Sequence, residues 1–296
     1  MKEIVVISGK GGTGKTSMVA SFAALAPGNV LADCDVDAAD LHLILAPEVK
    51  RREPFSGGHE AVIHSESCTR CGLCAAKCRY EAIVKRDGPA GEEYAVDPFA
   101  CEGCGVCVRA CPVAAIELRP RTSGEWFVSE TRYGPMVHAC LRPAAENSGK
   151  LVTQVRRQAS QLAKERGADF VIVDGPPGIA CPVIASVSGA SLVLIVTEPT
   201  ASGLHDMKRA AGLAAHFEIP AMICINKCDL NREVSEAIRN EAAAARLWVA
   251  GEVPYDPTAF VRAQIAGLAP VELDRHSTVS REIERTWRTV SGFLCR

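Results

Sequence analysis

Short apolar runs recur along the chain, each closed by a polar residue. Residues 4–7, 30–32, 169–173, 192–196 and 221–225 are continuous rather than alternating, as in strands covered on both faces. Between them lie segments with helical spacing. Residues 18–25 form one. A second runs from Gly149 to about Gly167, opened by Ser148, with Leu151, Val155 and Leu162 on one face. A third runs from about Gly203 to His216, and a last has Val279, Ile283, Trp287 and Val290 in step. Strand and helix in alternation predict an α/β fold, a doubly wound and mostly parallel sheet.

Two stretches break the rhythm. Residues 46–62 lose periodicity and hold Pro47, Pro54, Gly57 and Gly58, which reads as a domain boundary. Residues 124–129 and 134–140 read as a strand or hairpin arms. His138 and Cys140 lie close together there and are read as packing residues rather than a metal pair.

Composition narrows the class. A hydrophobic content of 48% can fill a real core in one large or two small domains. The net charge of −2, without a basic run, argues against nucleic acid or a membrane surface as the main partner. Residues 1–8 read as a core strand without a signal peptide's cationic start, and no apolar stretch is long enough to span a bilayer. A cytoplasmic protein is expected. Fourteen cysteines exceed ordinary packing use, and their spacing suggests reduced metal ligands rather than a disulfide framework.

Residues 9–17, Gly-Lys-Gly-Gly-Thr-Gly-Lys-Thr-Ser, follow the first apolar run and lead into the first helix. Strand, glycine loop and helix form a phosphate cradle. Gly11, Gly12, Thr13, Gly14, Lys15, Thr16 and Ser17 would surround the phosphates, Lys15 on their charge and the Thr16 hydroxyl on Mg²⁺. The second strand ends in Asp33, Asp35, Asp37 and Asp40, placed for Mg²⁺ and an attacking water. Asp174 closes another apolar strand in the Walker B manner, followed by Gly175-Pro176-Pro177-Gly178 as a mobile phosphate-sensing loop. Asn226-Lys227-Cys228-Asp229 is a base-recognition loop, with Pro254 packing beside the base. Taken alone this loop suggests GTP; the family resemblance described below implies ATP instead.

The cysteines fall into two runs. Cys68-x2-Cys71-x2-Cys74-x3-Cys78 is followed by Cys101-x2-Cys104-x2-Cys107-x3-Cys111-Pro112. This is two-cluster ferredoxin spacing, in which each fourth cysteine serves the other cluster. One [4Fe–4S] cluster would take Cys68, Cys71, Cys74 and Cys111, and the other Cys101, Cys104, Cys107 and Cys78. Zinc would have no use for the third cysteine of each run. Arg79 stands where Pro112 stands in the second copy, and is expected to alter the first run's exit turn.

With Lys10 included, the glycine loop resembles the deviant P-loop of the family containing MinD, the partition ATPases, the Mrp-type iron–sulfur carriers and the nitrogenase iron protein. The resemblance implies an ATPase that dimerises, with itself or a homologous subunit, and Lys10 reaching the partner's nucleotide. It implies that Asp35 orients the hydrolytic water. It also implies a domain plan of residues 1–62 and 119–296 as the ATPase, with 63–118 an inserted two-cluster ferredoxin. Cys181 has the offset from Asp174 of a cysteine that holds a shared cluster in the iron-protein branch, with Cys140 the nearest second ligand. The C-terminal segment is expected to pack on its own sheet rather than bind membrane. The function expected is an ATP-driven switch passing electrons to a redox partner. The alternative is a carrier or assembly ATPase for an iron–sulfur cluster or other metallocofactor.

Overall fold

The computed structural model describes residues 1–88, 91–142, 145 and 149–295. Strand β1 (Lys2–Ser8) runs into α1 (Lys15–Leu25), β2 (Val30–Asp33) and the short α2 (Leu41–Leu45). Next come β3 (Glu48–Ile63), α3 (Leu73–Lys77), β4 (Ile83–Gly88), β5 (Gly91–Val96), α4 (Val106–Ala110) and β6 (Ile116–Thr131). β7 (Gly134–Leu141) leads through α5 (Lys150–Arg166) to β8 (Phe170–Pro177), α6 (Cys181–Val187), β9 (Leu192–Thr197), α7 (Ala201–His216) and β10 (Ala221–Asn226). α8 (Arg232–Ala244), β11 (Trp248–Val253), α9 (Pro257–Ile265), α10 (Pro270–Leu273) and α11 (Thr278–Leu294) complete it.

Residues 1–53, 126–140 and 147–296 form one compact unit, and 54–125 with 141–146 a second. In the sheet order β11-β10-β9-β1-β8-β2-β7-β6-β3, every pair from β11 to β7 is parallel. β1, β8 and β9 are buried almost end to end, which explains their unbroken apolar runs. Because the strands are parallel, β1, β2, β8, β9 and β10 all deliver their last residues to one edge of the sheet.

Helix α11 packs on the sheet of its own chain. Val279, Ile283, Trp287 and Val290 are buried, and the Trp287 ring lies 5.1 Å from Phe22 and 5.6 Å from Phe170. Among the described residues no helix is long and apolar enough to cross a membrane. Helix α5 begins after Gly149, whose φ of 78° is left-handed; Ser148, expected to open it, lies outside the described residues.

The stretch 46–62 holds most of the 16-residue strand β3, which the sequence did not announce, and the division between the two units falls within it, after Glu53. Most of its side chains are exposed, so no buried face imposes a hydrophobic period for the sequence to display. The arm expected at 124–129 is likewise the end of the 16-residue β6, and the turn Arg132–Tyr133 joins it to β7.

Candidate functional site

The glycine loop sits between β1 and α1. Gly14 has φ 89°, and a side chain there would strike the Asn226 amide 2.3 Å away, so the position requires glycine. Around Gly11 and Gly12 there is open space where a Cβ would be. The N-terminus of the 11-residue α1 faces this loop's end, an anion site by its N–H groups and dipole.

Lys15 is buried in a nest of carboxylates. Its ammonium lies 2.6 Å from Asp174 Oδ1 and 3.3 Å from Asp35 Oδ2. Burial opposes its charge, but Asp174 and Asp35 outweigh that and hold the lysine above its ordinary pKa. Burial, aided by Asp174, pushes the Asp33 carboxyl well above the carboxylate range, and burial likewise raises Asp35. Asp33 accepts from the Asp35 and Leu41 amides, so it shapes the loop while Asp35 faces the lysine. Asp37 and Asp40 are exposed.

Two buried polar atoms in this site have no hydrogen-bond partner, Asp174 Oδ2 and Thr13 Oγ1. Orphaned oxygens of this kind are costly without a ligand. Their position beside Lys15 and the glycine loop fits a metal–phosphate group. Thr16 and Ser17 are half-buried at the start of α1.

The base-loop residues are tied to the phosphate loop. Asn226 Nδ2 donates to the Thr13 carbonyl at 2.7 Å. Lys227 donates to the Gly12 carbonyl at 3.0 Å. Asp229 Oδ1 accepts from the Tyr255 amide at 2.6 Å, next to the half-buried Pro254. In the stretch expected to be a phosphate-sensing loop, the Gly178 amide donates to the Ser8 carbonyl at 2.8 Å. Its neighbours Asp174–Pro177 continue β8 rather than forming a loop.

Lys10 is also engaged within its own chain. It pairs with Glu198 at 2.5 Å, with the Thr200 and Ser202 hydroxyls 3.4 and 3.3 Å away. Glu198 belongs to no motif, and sequence reasoning missed it. Its one signal was position, directly after an apolar strand.

The second unit gathers eight cysteines. Cys68, Cys71, Cys74 and Cys111 line one small cavity. Cys101, Cys104, Cys107 and Cys78 line another. The two runs adopt matching backbones. Gly72 and Gly105 precede α3 and α4 at φ 76° and 73°, and Cys78 and Cys111 end those helices at ψ 113° and 116°. The exit after Cys78 is therefore the same as that before Pro112, correcting the expected effect of Arg79. Backbone amides of Arg70 and Ala115 donate to the sulfurs of Cys68 and Cys111.

No disulfide joins any of the fourteen cysteines, and among the described residues no three His, Cys, Asp or Glu side chains converge as they would on a single metal ion. Cys181 and Cys140 are both exposed, at the start of α6 and in β7. His138 bonds to Ser129 Oγ at 2.9 Å and stacks on Phe127, as a packing residue does.

Comparison with known proteins agrees with the first unit. The chain is 34% identical over 234 residues to an uncharacterized protein of Methanocaldococcus jannaschii, covering 77% of this chain and 79% of that one. It is 31% identical over 105 residues to the septum site-determining protein MinD of Bacillus subtilis, 34% of this chain and 38% of that protein. In fold it resembles the Pyrococcus furiosus cell division ATPase MinD, with a TM-score of 0.58 at 17% identity over 99% of both chains. It also resembles the MinC:MinD complex of Aquifex aeolicus, with a TM-score of 0.57 at 19% identity over 99% and 96%. Residues 4–270 match the CobQ/CobB/MinD/ParA nucleotide binding domain, and the chain belongs to that family.

Proposed function

We propose that this protein is an ATP-hydrolysing dimeric switch that carries two [4Fe–4S] clusters and couples its nucleotide state to electron transfer to a partner protein. The observation carrying the redox half is the pair of cavities, each lined by three thiols of one cysteine run and one of the other. The donors are soft thiols spread around a cavity, which suits a polynuclear iron–sulfur group better than a single ion. The unit's own buried core is small, Ala61, Cys74, Ile83 and Ile116, so a bound group would add packing that the chain lacks. When held there, such clusters supply one-electron storage. Sulfur-directed amides at Cys68 and Cys111 would tune them.

In the nucleotide site Lys15 exchanges its carboxylates for phosphate oxygens. Asp174 and the Thr16 hydroxyl would hold Mg²⁺, which supplies charge neutralisation at the phosphates. Asp35, released from Lys15, orients the attacking water. ATP is the nucleotide proposed, on the likeness to the MinD/ParA-type nucleotide binding domain.

The test uses the full chain purified without oxygen. Iron and sulfide should match two cubanes, and the reduced protein's EPR spectrum or oligomeric state should change with Mg·ATP. Absence of iron after anaerobic reconstitution would remove the clusters. Spectra, oligomeric state and partner affinity all indifferent to nucleotide would leave two uncoupled units.

A further inference from the structure

Glu198 holds two lysines of the nucleotide site with one carboxylate. Oε1 takes Lys10 at 2.5 Å and Oε2 takes Lys227 at 2.8 Å, with only 13% of the Glu198 side chain exposed. Burial works against the carboxylate's charge, but the two ammonium groups prevail and hold its carboxyl below the usual range. The two grips differ. Lys227 has a second anchor in the Gly12 carbonyl at 3.0 Å, whereas the other contacts of Lys10 are two distant hydroxyls. One of these, Thr200, is already capping α7 by accepting from Gly203 at 2.9 Å. Loss of the carboxylate's charge therefore frees Lys10 and leaves Lys227 in place.

We propose that Glu198 is a positioning residue that latches Lys10 inside its own chain, so that Lys10 reaches a second copy's nucleotide only after leaving it. The inference rests on the reading of the protein as an ATP-dependent dimer. Phosphate anions are the natural competitor, since a half-buried lysine held by a carboxylate exchanges one anionic partner for another at little cost. Glu198 thus sets how much ATP-loaded chain is needed before dimers form.

Glu198→Gln keeps the side chain's volume and removes its charge. By sedimentation in Mg·ATP, the chain concentration for half-dimerisation should fall about threefold to fivefold, the scale of a partly shielded ion pair. Glu198→Asp, which retains the charge, should stay near wild type. In a Lys10→Ala background Glu198→Gln should change nothing further. An unchanged or raised midpoint in Glu198→Gln overturns the latch, as does an equal shift without Lys10. Loss of nucleotide binding in Glu198→Gln overturns it too, because Glu198 would then act through Lys227. A wild type that binds Mg·ATP yet stays monomeric at every concentration sinks the dimer reading, and the latch with it.

Discussion

Replacing Lys15 by alanine should do more than remove a phosphate contact. Lys15, Asp35 and Asp174 are 6%, 8% and 0% exposed, and Asp33 beside them is 0%. Deleting one partner of a buried charge set costs about 3–5 kcal/mol, against less than about 1 kcal/mol for an exposed pair. The larger figure applies, because three carboxylates lose their cation in a site that is almost wholly buried. The pH dependence has a definite sign. Without Lys15 the raised carboxyls of Asp33 and Asp35 rise further, so the folded state keeps protons that the unfolded state has released. Stability then falls as pH rises, and the deficit is larger at pH 8 than at about pH 5.5. Urea unfolding followed by fluorescence, with Trp287 reporting the packing around Phe22 and Phe170, measures both quantities. Adding Asp174→Asn should recover much of the loss. An unchanged midpoint at pH 8, or a deficit that grows on acidification, would refute this account of the site.

Asp35→Asn should slow single-turnover hydrolysis by at least about 100-fold, the usual scale for losing a residue that handles the nucleophile's proton; turnover near wild type would remove Asp35 from the chemistry. Cys111→Ser should disturb the EPR signal that Cys71→Ser also disturbs and spare the one lost in Cys104→Ser, because Cys111 shares its cavity with the first run. The reverse grouping would undo the cluster assignment. His138 is held down to about 4, first by burial and then by His42. The unfolded chain therefore takes up a proton near pH 6.5 that the folded chain refuses, and stability drops by about 2 kcal/mol between pH 7 and pH 5. Urea midpoints across that range should flatten in His138→Gln, and equal slopes would show that His138 is not the group titrating.

Features written in neighbouring residues were legible. The glycine loop specifies its own backbone through left-handed positions such as Gly14, and it needs only the strand before it and the helix after it. The buried strands announced themselves because two covered faces demand an unbroken apolar run. The exposed β3 had no such demand on it and left no strand signal in the sequence. Each cysteine run likewise places three of its cysteines within a single turn and short helix.

What no local pattern records is which distant segments the sheet brings to one edge. Glu198 follows β9, Lys10 follows β1 and Lys227 follows β10, and adjacency of those three strands alone makes one carboxylate the partner of both lysines. The same convergence turned Asn226 toward the phosphate loop and buried Lys15 among acids from β2 and β8. Chemistry within a loop is set by steric and hydrogen-bond rules acting over a few residues, so the chain's order determines it. Ion pairs between loops depend on strand order and on burial, which tertiary structure decides.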